Sequence, residues 1–89
     1  MVTDHLDPEI VICAAVVATN GTVIRCHRHH DGIEALHRRK LQMLAQGFVT
    51  SRNRYVTRTD AMRLQVLAGV PSARSEGYRG DQLYSEDLY

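Results

Sequence analysis

A chain of 89 residues with 44 % hydrophobic and 24 % charged residues has the composition of one small globular domain, residues 1–89, which argues against disorder over most of its length. Two cysteines are too few for a disulfide framework, so a domain of this size is expected to gain stability by self-association. The net charge is only +1, but residues 25 to 63 hold nine basic and three acidic residues. This distribution predicts a localised anion site, with an ordinary solvated basic face as the alternative.

The N-terminal part is predicted to form a β-hairpin over residues 9 to 28. Asn20-Gly21 stands between two β-rich runs and is typical of a two-residue type I′ turn, in which Cys26 lies opposite Ala15. The first run is apolar at nearly every position, which indicates that both of its faces are covered. Helices are expected on one face, and a second subunit is the candidate cover for the other.

No signal peptide and no membrane span are expected. The segment Met1 to Pro8 carries acids where a signal peptide is basic, and the apolar run Ile10 to Ala18 is too short to cross a bilayer. The sequence therefore predicts a cytoplasmic protein with reduced cysteines.

A first helix is predicted from Gly32 to Gln46. Asp31 as N-cap and Glu34 at the third helical position form a capping box, and Gly47 stands at the position where helices commonly end. The apolar residues of this segment fall on one face, which is expected to pack on the sheet.

Residues 47 to 56 are predicted to form two short extended pieces around a polar turn. A second helix then begins with Thr57 as N-cap and Asp60 at the third position, and it ends before Gly69. One apolar face of this helix, expected to pack on the sheet, is formed by Ala61, Leu64, Leu67 and Ala68. The other face, expected to contact a second copy of the chain, is formed by Met62 and Val66.

The remaining residues are predicted to form a loop and a docked tail. Residues 70 to 81 are rich in Pro, Ser and Gly without periodicity, whereas residues 82 to 89 regain apolar spacing. The predicted fold class is therefore α+β, with a small antiparallel sheet built on the N-terminal hairpin and two helices packed on it.

Metal binding and catalysis are both disfavoured. The cluster from His27 to Asp31 invites a metal, but in the predicted hairpin His27 and His29 project away from the face of Cys13 and Cys26. The chain has no nucleophile elbow, phosphate-binding loop or HExxH motif. We therefore expect a binding protein without metal or cofactor and not an enzyme, with capping and hydrogen-bond roles as the simpler explanation for His29 and His30.

Two predicted helix starts are preceded by basic residues, first at Arg28-His29-His30 and again at Arg52, Arg54 and Arg58. Free backbone N–H groups and arginines suit phosphate, so two such places predict an anion with more than one phosphate. The rings of Phe48 and Tyr55 flank the second group and could stack a base. The alternative is that these two rings belong to the core.

Three ordered motifs, RHHD at 28–31, QGFVTSRNRYVTRTDA at 46–61 and LYSEDLY at 83–89, carry a resemblance to a known family. The sequence resembles the first-described class of phage Thoeris anti-defence proteins. The resemblance implies a sponge that sequesters glycocyclic ADP-ribose signals made by TIR-domain defence enzymes, and cyclic di- or trinucleotides at a separate site in some members. It also implies a homodimer, or a hexamer built from dimers, in the cytoplasm of the infected bacterium.

The resemblance also assigns ligand-binding residues. Glu86 and Asp87 would be structural or would accept ribose hydroxyls. The ligand-binding candidates that match the first two motifs are Arg28, His29, His30, Phe48, Arg54, Tyr55 and Arg58. The alternative functions are a basic nucleic-acid-binding or protein-inhibiting module, and a small enzyme that cleaves the signal.

Overall fold

The computed structural model describes residues 8–89, in which four strands form one antiparallel sheet in the order β2-β1-β3-β4 and two helices pack on it. This confirms the predicted fold class. The acidic segment at residues 1–7 lies outside the described residues. The elements are β1 (Val11–Ala18), β2 (Val23–Cys26), α1 (His29–Arg38), β3 (Met43–Thr50), β4 (Tyr55–Thr57), α2 (Arg58–Ala68) and a 3-10 turn (Ser85–Asp87).

The β1–β2 hairpin is confirmed, but its register is one residue away from the prediction. Cys26 pairs with Ala14, and Arg25 is the residue opposite Ala15. The amide of Ala18 donates to the carbonyl of Thr22 at 2.8 Å, which leaves a three-residue loop. Within that loop only Gly21, at φ 90°, has left-handed backbone, whereas a type I′ turn needs two such residues. Cys26 consequently lies on the face that the helices cover.

The first helix is shorter than predicted and begins earlier. It spans His29–Arg38, with Arg28 as N-cap, and Lys40 at φ 57° ends the helical backbone. The segment predicted to continue it is instead strand β3, in which Gln46 pairs with Val16. Hydrogen bonding to β1 outweighs the helix propensity of this segment, because propensity is weaker than tertiary pairing.

The second helix has the predicted ends. The side chain of Thr57 accepts a hydrogen bond from the amide of Asp60 at 3.1 Å, and Gly69 follows in left-handed backbone at φ 73°. The predicted inner and outer faces were partly wrong, because Met62 is buried in the core and Leu67 is 79 % exposed.

Gln65 explains the orientation of this helix. Its side-chain oxygen accepts a hydrogen bond from the amide of Val11 at 2.8 Å, and the whole residue is buried. The bond joins the buried side of α2 to the first residue of β1. The helix is therefore rotated so that a polar residue, and not Leu67, faces the sheet.

Both helices cover the same face of the sheet. Phe48 and Leu83 are fully buried there beside α2, and Leu36 of α1 packs on Val16. Leu83 belongs to the C-terminal segment, so the predicted docking of the tail is confirmed. No helix within residues 8–89 is long and apolar enough to cross a membrane.

Candidate functional site

The C-terminal segment gathers arginines around its tyrosines on the helix-covered side of the domain. The guanidinium carbons of Arg58 and Arg74 lie 5.4 and 5.3 Å from the ring centre of Tyr84. That of Arg28 lies 5.3 Å from the ring centre of Tyr89. Cations at these distances are attracted to an aromatic face. We call these five residues the arginine–tyrosine cluster.

Asp87 fixes the segment that carries Tyr84. Its side chain has no exposed surface, and its carboxylate accepts two hydrogen bonds from Arg74, each 3.0 Å long. It also accepts from the hydroxyl of Ser72 at 2.6 Å and from the backbone amide of Tyr84 at 2.9 Å. Asp87 is therefore structural, and it holds Arg74 and Tyr84 side by side.

His29 lies at the base of this region and acts as a hydrogen-bond donor. Its Nε2 is 2.8 Å from the carbonyl oxygen of Gly47, and its ring meets Phe48 edge-on with 5.0 Å between centres. Burial, and then the nearby charge of Arg58, lower the pKa of His29, while the bond to Gly47 and the charge of Glu86 oppose the shift. His29 is accordingly a neutral donor at neutral pH.

Two arginines of the cluster keep a buried nitrogen without a hydrogen-bond partner. Arg28 donates from Nη2 to the backbone oxygen of Tyr89 at 2.7 Å, and Arg58 donates from Nη2 to Gln46 at 2.6 Å. Nη1 of Arg28 and Nε of Arg58 are buried and unpaired within the described residues. An unmade hydrogen bond of this kind costs about 1–3 kcal/mol, so both donors are available to an acceptor that enters.

An open cavity of about 510 Å³ adjoins the cluster at Tyr84. Its described lining residues are Arg74, Arg79, Tyr84 and Glu86. This volume falls within the usual range for small-molecule sites. The cavity offers an aromatic face, two guanidinium groups and one carboxylate, which is a suitable set for an anion that also carries hydroxyls.

Arg54, predicted to bind phosphate, lies elsewhere and is paired. Its Nε and Nη2 donate to the carboxylate of Glu9 at 2.7 and 2.8 Å, and the Glu9 side chain is only 6 % exposed. Hydrogen bonds from Arg54 and then Thr50 lower the pKa of Glu9 to about 2. Arg54 therefore neutralises a buried carboxylate at the end of the sheet.

The other predicted site residues do not join the cluster either. Phe48 has no exposed surface, so the core alternative is correct for its ring. Tyr55 lies on the helix-free face of the sheet, since it pairs with Val49 and alternates with the core residue Val56. His30 is exposed and lies 3.1 Å from Asp31. The structure thus brings Arg28, His29 and Arg58 to one region. Arg54 and Tyr55 lie away from that region.

Arg74, Tyr84 and Tyr89 are the residues of the arginine–tyrosine cluster that sequence reasoning missed. Arg74 stands in an aperiodic loop, where no pattern predicts its pairing with Asp87. The only signal was the spacing of Tyr84 and Asp87 within the C-terminal motif. Within residues 8–89, no three His, Cys, Asp or Glu side chains are grouped to hold a metal ion.

The chain is a small α+β domain whose helix-covered face carries arginines stacked on tyrosines. A family model described as Phage T4 y16D protein matches residues 10–89, so the chain belongs to this phage protein family. No match to a curated protein or to a solved structure was found.

Proposed function

We propose that this phage protein is an anti-defence sponge that binds a nucleotide-derived immune signal of the glycocyclic ADP-ribose type without degrading it. The observation that carries the proposal is that Arg28 and Arg58 each keep a buried, unpaired guanidinium nitrogen and each contact a tyrosine ring. The ring that Arg58 contacts, Tyr84, also lines an open cavity. The sequence resemblance described above supplies the class of signal.

The ligand chemistry follows from the donors. A diphosphate offers oxygens to both arginines, and charge-assisted hydrogen bonds of this kind are stronger than neutral ones. We propose that the Tyr84 ring, which lines the cavity, contributes to stacking a base, an interaction that contributes about 1–3 kcal/mol in comparable sites. The exposed carboxylate of Glu86 at the cavity is an acceptor for ribose hydroxyls.

Sequestration needs affinity and not turnover. A sponge is effective when its dissociation constant is well below the signal concentration and its own concentration is comparable to that of the signal. We propose that it acts in the cytoplasm of the infected bacterium as a homodimer or a hexamer of dimers, in which neighbouring subunits complete the cavity.

The experiment is native mass spectrometry with a panel of cyclic ADP-ribose isomers and cyclic di- and trinucleotides, followed by denaturation and chemical analysis of the released ligand. A defined stoichiometry with intact ligand is expected. Release of a cleaved product would instead identify an enzyme, and no binding to any member of the panel would remove the proposal.

A basic nucleic-acid-binding module is the second candidate, favoured by the exposed run Arg38, Arg39 and Lys40 after α1. The salt dependence of the binding affinity distinguishes the two candidate functions. Binding to a nucleic acid backbone weakens steeply as salt rises, because each neutralised phosphate releases counterions, whereas a shaped site for one small ligand loses much less. Fluorescence anisotropy with labelled RNA and DNA over a salt series measures this slope.

A further inference from the structure

The helix-free face of the sheet contains a trough floored by two small residues. Strand pairing places Arg25, Ala15, Gly47 and Thr57 in one row across all four strands. The two central positions are Ala and Gly, so the sheet surface is lowest in the middle of the row. Ala15 nevertheless has no exposed surface, although no helix lies on this side.

Side chains from the two edges overhang this trough. Arg25 reaches from the edge strand β2 across the sheet and donates to the side-chain oxygen of Asn53 in the β3–β4 turn. The Tyr55 ring lies against Gly47, where an added Cβ would be 2.6 Å from both Cζ and the hydroxyl oxygen. Between them is a cavity of about 280 Å³ whose described lining is Val23, Arg25, Val49, Asn53, Arg54 and Tyr55.

The polar groups of this cavity are donors. The hydroxyl of Tyr55 is buried and has no partner within the described residues. Burial raises the pKa of Tyr55, so the phenol keeps its proton at neutral pH and can donate it. Asn53 uses its oxygen for Arg25, which leaves its amide hydrogens, and its left-handed backbone at φ 58° fixes the turn.

Charge in the cavity is positive. Arg25 contacts Asn53 and pairs with no carboxylate among the described residues. Arg54 also lies at the rim, but its two hydrogen bonds to the Glu9 carboxylate offset its charge, so Arg25 supplies the positive charge of the cavity. None of the six described lining residues is acidic.

We propose that this cavity is a binding site for a dianionic phosphate monoester, separate from the arginine–tyrosine cluster. The hydroxyl of Tyr55 and the guanidinium of Arg25 donate to the phosphate oxygens. The donors approach from both edges of the sheet, which suits a tetrahedral group with several acceptor oxygens better than a planar carboxylate. A cavity of this volume accommodates one phosphorylated sugar.

The test is isothermal titration of the full chain with inorganic phosphate, ribose 5-phosphate and acetate at constant ionic strength. Saturable binding of the two phosphates, tighter than that of acetate, is expected. Arg25→Gln should weaken ribose 5-phosphate binding by about tenfold or more, since it removes one charge-assisted hydrogen bond. Tyr55→Phe, which keeps the ring on Gly47, should weaken it by about fivefold.

The matched control is Arg38→Gln, which removes an exposed charge 3.8 Å from Glu34 on α1 and should leave the affinity unchanged. Equal losses for Arg38→Gln and Arg25→Gln, or equal affinity for acetate and phosphate, would overturn the proposal. Full affinity in Tyr55→Phe would also overturn it, and this variant remains informative if Arg25→Gln fails to fold. Arg28→Gln, in the arginine–tyrosine cluster, should leave this site intact, so it distinguishes failure here from failure of the proposed sponge activity.

Discussion

Replacement of Arg58 by Gln should weaken signal binding while leaving the fold nearly as stable. Without ligand, the variant loses the hydrogen bond from residue 58 to Gln46 and the cation–π contact with Tyr84, which together contribute about 2–3 kcal/mol to the free energy of unfolding. The same change removes the buried, unpaired Nε, which relieves about 1–3 kcal/mol. The two effects offset each other to within about 2 kcal/mol of the free energy of unfolding.

The free energy of signal binding has no such offsetting contribution. The unpaired Nε is the donor that an incoming phosphate would use, and a hydrogen bond to a charged group contributes about 1.5–3 kcal/mol. The dissociation constant for a cyclic ADP-ribose isomer should therefore rise by about 10- to 150-fold. Calorimetry measures this change, and a denaturant titration measures the stability of the same variant.

Arg38→Gln is again the control, because Arg38 is exposed on the far side of α1. Unchanged signal affinity in Arg58→Gln would refute the assignment of Arg58 to the site. Equal losses in the Arg38 and Arg58 variants would mean that general positive charge, and not a shaped cluster, holds the ligand. A large loss of stability in Arg58→Gln would show that Arg58 is mainly structural.

Three further outcomes are expected. Arg54→Ala should lower the thermal midpoint, because it leaves the buried carboxylate of Glu9 without its cationic partner, and an unaltered midpoint would contradict this. Signal binding to the folded variant should be unchanged. The lowered pKa of Glu9 stabilises the fold above its unfolded value of about 4.5, so circular dichroism should show stability falling as the pH drops from about 4.5 toward 2, and less so in Glu9→Gln. Val66→Glu, at a position 59 % exposed in the single chain, should reduce the sedimenting mass if α2 joins subunits, while the monomer stays folded.

Short sequence motifs predicted the structure correctly where the conformation depends only on neighbouring residues. The capping pair Thr57 and Asp60 and the terminal Gly69 fixed the second helix, because capping depends on neighbouring backbone groups alone. The first helix was too long in the prediction because residues 41–46 have good helix propensity, and their pairing with β1 is non-local. The one-residue error in hairpin register followed from the turn type, because Asn20 lacks the left-handed backbone that a type I′ turn needs and the strands are joined by a three-residue loop.

The site was harder to predict than the fold. Arg54, Tyr55 and Arg58 are neighbours in sequence, but Arg54 and Tyr55 line one cavity on the helix-free face, whereas Arg58, at the start of α2, contacts Tyr84. Arg28 and Tyr89 are far apart in sequence, as are Arg58 and Tyr84, and the docked tail brings each pair together through contacts that no spacing rule contains. The pattern of basic residues at helix starts predicted Arg28 and Arg58 as anion-binding candidates, and each keeps an unpaired nitrogen, but the same pattern gave no means to find Arg74.

Gly47 has a consequence for how this family can evolve. A Cβ at this position would lie 2.2 Å from the backbone oxygen of Val56, so any side chain would force β4 away from β3. Because β4 ends at Thr57, the cap of α2, such a shift would displace Arg58 as well. Relatives that keep this architecture should therefore retain glycine here, whereas the exposed arginines and tyrosines are under no such backbone constraint and are free to diverge.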